Sequence, residues 1–363
     1  MSNYCVILAG GSSTSFWPIS REDRPKELVR SESTRKSFLM QTYNRMLGIF
    51  PAENIYIATL YRFKEPILEQ LPELGEEQLI LEPYSRNTAP AIAFSTYRIL
   101  AKDPDAIIVT VPADQQIGNP EAFGKAVGKA VDYASKSDVL LALGIVPTSA
   151  DTHFGYVQVE GGRDAYKAGN PVKARTFTEK PSAELARVFV ESGEFLWNSG
   201  IFVGKASKIH EEMQVCCPEI TMLWKGWQNC MGTPQESTFV EKVYTDSPKI
   251  SIDYAVLEKS GRLWVLPSNF DWSDVGNFNS LYENRTDKDG DGNLVSIAGK
   301  SLLKDVQDSI VWSNRPRKLT VVRGLKDFLV VDSDDVLYIC PRDEKILQDT
   351  QSELADPDFD EYR

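Results

Sequence analysis

Tyr4-Cys5-Val6-Ile7-Leu8, followed by Ala9-Gly10-Gly11-Ser12-Ser13-Thr14-Ser15-Phe16-Trp17-Pro18-Ile19-Ser20-Arg21 and then Arg24-Pro25-Lys26, is the stretch on which the fold turns. The apolar run reads as a buried first strand. It runs directly into a loop of small residues that ends in cations. Gly10 and Gly11 let the backbone approach a ligand with no Cβ in the way. Free backbone N–H groups, Arg21, Arg24 and Lys26 then supply what a polyphosphate needs. The same small residues also suit an ordinary turn between a strand and a helix, so the loop does not decide the function by itself.

Outward from this loop, strand-like and helix-like segments alternate. Asn54 to Ala58, Gln78 to Leu81, Ala106 to Val111 and Asp138 to Leu143 are short β-rich runs. Between them lie amphipathic stretches from Ser37 to Phe50, Thr88 to Ala101 and Pro120 to Ala134. Thr88 is the expected cap of its helix, with Pro90 in the first turn. This alternation predicts an α/β fold built on a mostly parallel sheet with helices on both faces. Ligands of such sheets sit beyond the carboxyl ends of the strands. The opening loop and Pro112-Ala113-Asp114 both follow strands and fall on that edge.

From about residue 150 the alternation becomes irregular, as in a substrate-binding subdomain. Asp287-Lys288-Asp289-Gly290-Asp291-Gly292-Asn293 reads as a linker. It imitates the start of a calcium loop, but the twelfth position is Ala298, where a bidentate Glu is required. Closely spaced β-rich runs follow, from Asn293 to Ile339. The expected division is therefore residues 1–285 and a small β-domain over 286–363.

The chain has 363 residues, 42% of them hydrophobic, 25% charged and 10% aromatic, an ordinary composition for a soluble protein. No apolar run reaches the ~18 residues of a membrane span. The N-terminus shows no basic, apolar leader pattern. Five cysteines without metal-ligand spacing read as reduced thiols, so a cytoplasmic location is expected. A net charge of −12 argues against a nucleic-acid surface. A protein of that balance that binds a triphosphate must gather its cations locally, as Arg21, Arg24 and Lys26 do.

Further along stand Glu82-Pro83-Tyr84-Ser85-Arg86-Asn87-Thr88-Ala89-Pro90-Ala91, Phe177-Thr178-Glu179-Lys180-Pro181 and Trp197-Asn198-Ser199-Gly200-Ile201-Phe202. Ser251-Ile252-Asp253-Tyr254-Ala255 and Trp272-Ser273-Asp274-Val275-Gly276 complete the series. Taken in order with the opening loop and Pro112-Ala113-Asp114, this set resembles the bacterial mannose-1-phosphate guanylyltransferases, of the sugar nucleotidyltransferase superfamily. The resemblance covers nearly the whole chain. It implies a Rossmann-like, glycosyltransferase A-like domain with a small C-terminal domain of left-handed β-helix type, which is also the expected surface for a homodimer. It implies the reaction of GTP with mannose 1-phosphate to give GDP-mannose and pyrophosphate.

The resemblance also implies residue roles. Asp114 and Asp274 would bind Mg²⁺ or another divalent cation. Lys26 and Arg21 would act on the phosphates as the catalytic cations. Gly10, Gly11, Glu82, Arg86, Asn87 and Thr88 would take the nucleotide. Gly155, in His153-Phe154-Gly155-Tyr156, would let the sugar approach, Glu179 and Asn198 would bond its hydroxyls, and Lys180 would meet its phosphate. Asp114 as a turn former, Asn87-Thr88 as a helix cap and Glu179-Lys180-Pro181 as a surface turn are the plainer readings of the same residues.

The chain departs from the family loop, Gly-Gly-x-Gly-x-Arg-Leu-Trp-Pro, at two positions: Ser13 stands for the third Gly and Ser15 for the Arg. Gln115 follows the carboxylate where His is common. Loss of one preorganised donor typically costs about 10²–10³ in rate. These changes raise an alternative: a weakly active or inactive paralogue that binds nucleotide or sugar in a regulatory or structural role.

Overall fold

The computed structural model describes residues 2–11, 15–31, 34–167 and 169–362, and of Glu344 only the backbone. Ser13 lies outside the described residues, whereas Ser15 begins a turn. The chain groups into two compact units that interleave in sequence. The first comprises residues 1–11, 42–113 and 117–272, the second residues 12–41, 114–116 and 273–363. Thus 12–41 and 273–285 group with the C-terminal strands.

The strands in chain order are β1 (Asn3–Leu8), β2 (Ile55–Leu60), β3 (Leu79–Glu82), β4 (Ile107–Pro112), β5 (Gln115–Ile117), β6 (Leu140–Ile145), β7 (Tyr156–Val159), β8 (Val172–Thr178), β9 (Phe195–Lys205), β10 (Leu263–Ser268) and β11 (Trp272–Asp274). The first unit is built on a nine-stranded sheet in the order β3-β2-β1-β4-β9-β6-β10-β8-β7. Strand β1 lies inside it, parallel to β2 and to β4. Cys5, Val6 and Ile7 have no exposure, which is why this strand reads as an unbroken apolar run rather than an alternating one. β9 enters antiparallel between β4 and β6, and β7 and β8 are antiparallel too, so the later half of the sheet is mixed.

Helix Thr88–Lys102 packs its first turns into the core, with Ala89, Ile92, Ala93 and Phe94 buried. Its N-cap is Asn87, not Thr88. The Asn87 side chain accepts from Thr88 N at 2.8 Å with φ +67°, in the left-handed region that Asn tolerates. Helix Pro120–Lys136 starts on Asn119, whose side chain accepts from Ala122 N at 3.0 Å, with Pro120 at the first helical position. No helix is long and apolar enough to cross a membrane among the described residues.

The second unit carries β12 (Leu294–Ile297), β13 (Lys300–Gln307), β14 (Ile310–Ser313), β15 (Leu319–Lys326), β16 (Phe328–Asp332) and β17 (Leu337–Pro341). β12, β14 and β16 run parallel, as do β13 and β15, while β17 returns antiparallel. Apolar residues of β12, β14, β16 and β17 join Phe16, Ile19, Val275, Phe278 and Leu281 in one core, while those of β13 and β15 pack with Val311 and Val330 in another. Segment 16–28, which leads to Lys26, is therefore anchored by burial. The short strands β5 and β11 pair with each other, which joins the segments bearing Asp114 and Asp274.

Candidate active site

In the second unit a buried lysine is surrounded by carboxylates. Lys26 opens a short 3₁₀ turn, Lys26–Leu28, after Pro25 has set an extended backbone. Its Nζ lies 2.8 Å from Asp114 Oδ2 and donates to the Val275 carbonyl at 3.0 Å. Burial would lower its pKa. The charges of Asp114 and Asp274 and the Asp114 hydrogen bond outweigh that, so the ammonium is held above its ordinary value. The structure thus brings Lys26, Asp114 and Asp274 into one electrostatic cluster. Glu27, which the sequence did not single out, completes it. Burial, then the Asp114 charge, push its carboxyl up to about 7, and its Oε2 is buried with no hydrogen-bond partner.

Hard carboxylate and carbonyl oxygens are the donors that Mg²⁺ takes, and two Asp carboxylates leave positions for water and phosphate oxygens. Three carboxyl groups, those of Asp114, Asp274 and Glu27, stand against the single ammonium of Lys26, and one Glu27 oxygen is left without a hydrogen-bond partner. Asp114 and Asp274 therefore fit a divalent cation.

The two arginines of the opening motif have structural partners. Arg21 forms a fork with Asp335, at 2.8 and 2.5 Å, and its Nε donates to the Pro18 carbonyl at 3.2 Å. Arg24 Nε donates to the Ile19 carbonyl at 2.9 Å. Arg21 and Arg24 also exchange backbone hydrogen bonds at 2.8 and 3.0 Å. Of the three cations, only Lys26 sits on the metal-candidate carboxylates.

In the first unit, Gly155, Glu179 and Asn198 meet. A Cβ on Gly155 would lie 2.4 Å from Glu179 Oε2 and 3.4 Å from Asn198 Cβ, so a side chain there would displace the Glu179 carboxylate. Asn198, on β9, donates its backbone N–H to the Gly155 carbonyl at 2.8 Å. Its side-chain Oδ1 accepts from Gly200 N at 3.1 Å, and Nδ2 donates to Asp253 Oδ1 at 2.9 Å. Burial and the Asp253 charge push the Glu179 carboxyl up to about 7 against the pull of Lys180. Lys180 is exposed, at φ +47°, with its backbone N–H bonded to the Phe154 carbonyl. Phe154, Trp197 and Trp272 pack edge-on or tilted beneath this group, with ring centroids 5.0 to 6.4 Å apart.

The expected nucleotide residues also lie in the first unit. Glu82 is buried against Gly10: a Cβ there would come within 2.7 Å of Glu82 Oε1. Its other oxygen accepts from Tyr244 OH at 2.9 Å. Arg86 donates to the carbonyls of Tyr244 and Thr245 at 2.9 and 3.1 Å. Thr88 Oγ1 accepts from Ile252 N at 2.8 Å. Gly11 is exposed.

Burial pushes the Glu82 carboxyl up to about 8, although the Tyr244 hydrogen bond opposes it. Folded chains then keep a proton that unfolded chains, at the ordinary value near 4.5, release. Stability from this group is whole below that value and is lost as pH rises through about 8. Glu82→Gln removes the titration. Between pH 5 and 8 the wild type is expected to lose of order 3 kcal/mol more than the variant in denaturant unfolding. Parallel losses would show that Glu82 is ionised throughout.

Comparison with known proteins converges on one family. The nucleotidyl transferase family matches residues 4–289. A mannose-1-phosphate guanylyltransferase of Escherichia coli is 32% identical over 93% of this chain and 70% of its own length. The alginate biosynthesis protein AlgA of Pseudomonas aeruginosa is 31% identical over 97% of this chain and 72% of its own. A crystal structure described as mannose-1-phosphate geranyltransferase from Thermus thermophilus superposes with a TM-score of 0.84 at 27% identity, covering 98% of this chain and all of that one. Motif order, sheet and relatives agree: the chain is a nucleotidyl transferase and belongs to the mannose-1-phosphate guanylyltransferase family.

Proposed function

We propose that the protein joins GTP and mannose 1-phosphate to form GDP-mannose and pyrophosphate. The observation that carries this reading is the Lys26 ammonium held 2.8 Å from Asp114 and within the field of Asp274. A phosphate oxygen of the sugar attacks the α-phosphorus, and pyrophosphate leaves. The attacking phosphate is already ionised, so no general base is required, and positioning and charge neutralisation do the work. Lys26 offers a desolvated positive charge to the phosphates. Gly10 and Gly11 offer backbone. Asp114 and Asp274 would hold Mg²⁺, which when bound neutralises phosphate charge as a Lewis acid.

Glu179 and Asn198 take the sugar hydroxyls, Gly155 admits the ring and Lys180 meets the phosphate. Glu82, Arg86, Asn87 and Thr88 serve the nucleotide by fixing the Gly10 turn and the loop before helix Thr88–Lys102. Arg21, bound to Asp335, steadies the segment that leads to Lys26. Exposed Leu302, Leu319, Val321, Leu337 and Ile339 on the C-terminal strands support a homodimer through that domain. Five free cysteines support a reducing, cytoplasmic setting. The inactive-paralogue alternative gains no support, because the similar proteins carry enzyme names and the chain retains Lys26, Asp114, Asp274, Glu179 and Asn198.

The test is pyrophosphate release from GTP and mannose 1-phosphate with Mg²⁺, beside ATP, UTP and glucose 1-phosphate. Turnover confined to another pair would overturn the reading. Within it, Lys180→Ala should raise the KM for mannose 1-phosphate about tenfold or more while leaving that for GTP within about twofold. Equal changes would remove Lys180 from the sugar phosphate.

A further inference from the structure

Residues 250–258 form a brace with two functional ends. At one end Ile250 N donates to the Arg86 carbonyl at 3.2 Å and Ala89 N to the Ile250 carbonyl at 3.1 Å. Ile252 N bonds Thr88 Oγ1. At the other end, Asp253 meets the Asn198 amide and Glu258 Oε1 accepts from Glu179 N at 3.3 Å. The two acids are brought to the same place by a π turn over Asp253–Leu257, in which Glu258 N donates to the carbonyl of Asp253, five residues back, at 3.0 Å. Such turns are rare and concentrate at functional sites.

The Asn198 amide has two donors and two lone pairs. Asp253 uses one donor and Gly200 N–H one lone pair. A carboxylate only accepts, so a flipped amide would turn its own oxygen toward Asp253 and lose both bonds. Asp253 and the Gly200 N–H thus select the same orientation. One N–H and one lone pair remain, in fixed directions.

We propose that Asp253 is a positioning residue for the sugar site: it locks the Asn198 amide so that one defined donor and one defined acceptor face adjacent ring hydroxyls. This rests on the assignment of Asn198 to the sugar. The lock makes Asn198 a preorganised bidentate partner, whereas a free amide would lose rotamer and flip freedom on binding.

The experiment is steady-state kinetics of Asp253→Ala, Asp253→Asn, Asn198→Ala and each Asp253 variant combined with Asn198→Ala, with separate KM values for mannose 1-phosphate and GTP. Asp253→Ala is expected to raise the sugar phosphate KM about tenfold with the GTP KM unchanged within about twofold. Asp253→Asn, whose amide oxygen can still accept, should recover most of that loss. Once Asn198 is Ala, Asp253→Ala should add nothing. If Asn198→Ala leaves the sugar KM unchanged, the sugar-site assignment fails. If Asn198→Ala raises it and Asp253→Ala does not, the positioning role alone fails. Equal rises in both KM values with a lowered Tm would make Asp253 merely structural. Should Asp253→Ala fail to fold, Asp253→Leu, close in size but unable to accept, replaces it in the cycle with Asn198→Ala, and additivity there overturns the proposal.

Discussion

Asp274→Asn is expected to lower metal-dependent pyrophosphate release by about 10²–10³-fold while the protein still folds. Asp274 closes β11, and its charge acts on Lys26, whose ammonium is bonded to Asp114 and the Val275 carbonyl. Asn is isosteric and keeps an oxygen for local bonds. What it loses is the negative charge, and a neutral amide is a poor ligand for Mg²⁺. Asp114→Asn should behave differently. Lys26 is 6% exposed, and removing its ion-pair partner leaves a buried charge short of compensation, a change that costs about 3–5 kcal/mol in fully buried pairs and less here because Asp114 is partly exposed. Activity should fall in both variants, and Tm should fall further for Asp114→Asn, which loses the direct ion pair with Lys26. Titration with Mn²⁺ followed by its EPR signal separates metal binding from turnover. Full turnover by Asp274→Asn at the wild-type Mg²⁺ requirement would exclude Asp274 as a ligand.

Periodicity made the first half of the sheet legible because parallel strands buried on both faces must be apolar throughout, as Cys5-Val6-Ile7 and Ile107-Ile108-Val109 are. The same logic cannot show β9, an eleven-residue strand that turns antiparallel between β4 and β6 while carrying Asn198. Nor can it show segments 12–41 and 273–285 grouping with the C-terminal strands, since that grouping rests on contacts such as those of Phe16 with Phe278, far apart in sequence.

At the site, motif chemistry pointed to Lys26, Asp114 and Asp274, and the structure brings them together. It could not reveal that Arg21 is engaged by Asp335, because nothing local links two residues so distant in the chain. Asn87 takes the cap expected of Thr88 because Thr88 Oγ1 is already bound to Ile252 N. Asp253 stood in a motif without a role, and Glu258 was not singled out, for a geometric reason. Five-residue spacing matches neither an α-helical face nor a strand face, and only a π turn makes the two neighbours in function. Glu27 belongs to no motif that singles it out. Its burial follows from the 3₁₀ turn that Pro25 begins.

Lys26→Met tests whether the lysine serves charge or packing. Met fills a similar volume along an apolar stem, so loss of packing is small. Loss of charge is not, because Asp114, Asp274 and Glu27 then face one another without a cation. The rate of pyrophosphate release should drop about 10²–10³-fold, as expected when one desolvated electrostatic contact to the phosphates is removed. Without metal the variant should melt below the wild type. Added Mg²⁺ should raise the Tm of Lys26→Met by more than that of the wild type, because the metal supplies to those carboxylates the positive charge that the side chain no longer does. Lys26→Arg should not restore the rate. The pocket that admits Nζ between Asp114 Oδ2 and the Val275 carbonyl accepts a compact ammonium, and a planar guanidinium would have to displace one of them. A smaller Mg²⁺ shift in Lys26→Met than in the wild type would mean that the lysine helps to assemble the metal site, and wild-type turnover by Lys26→Met would remove it from the reaction.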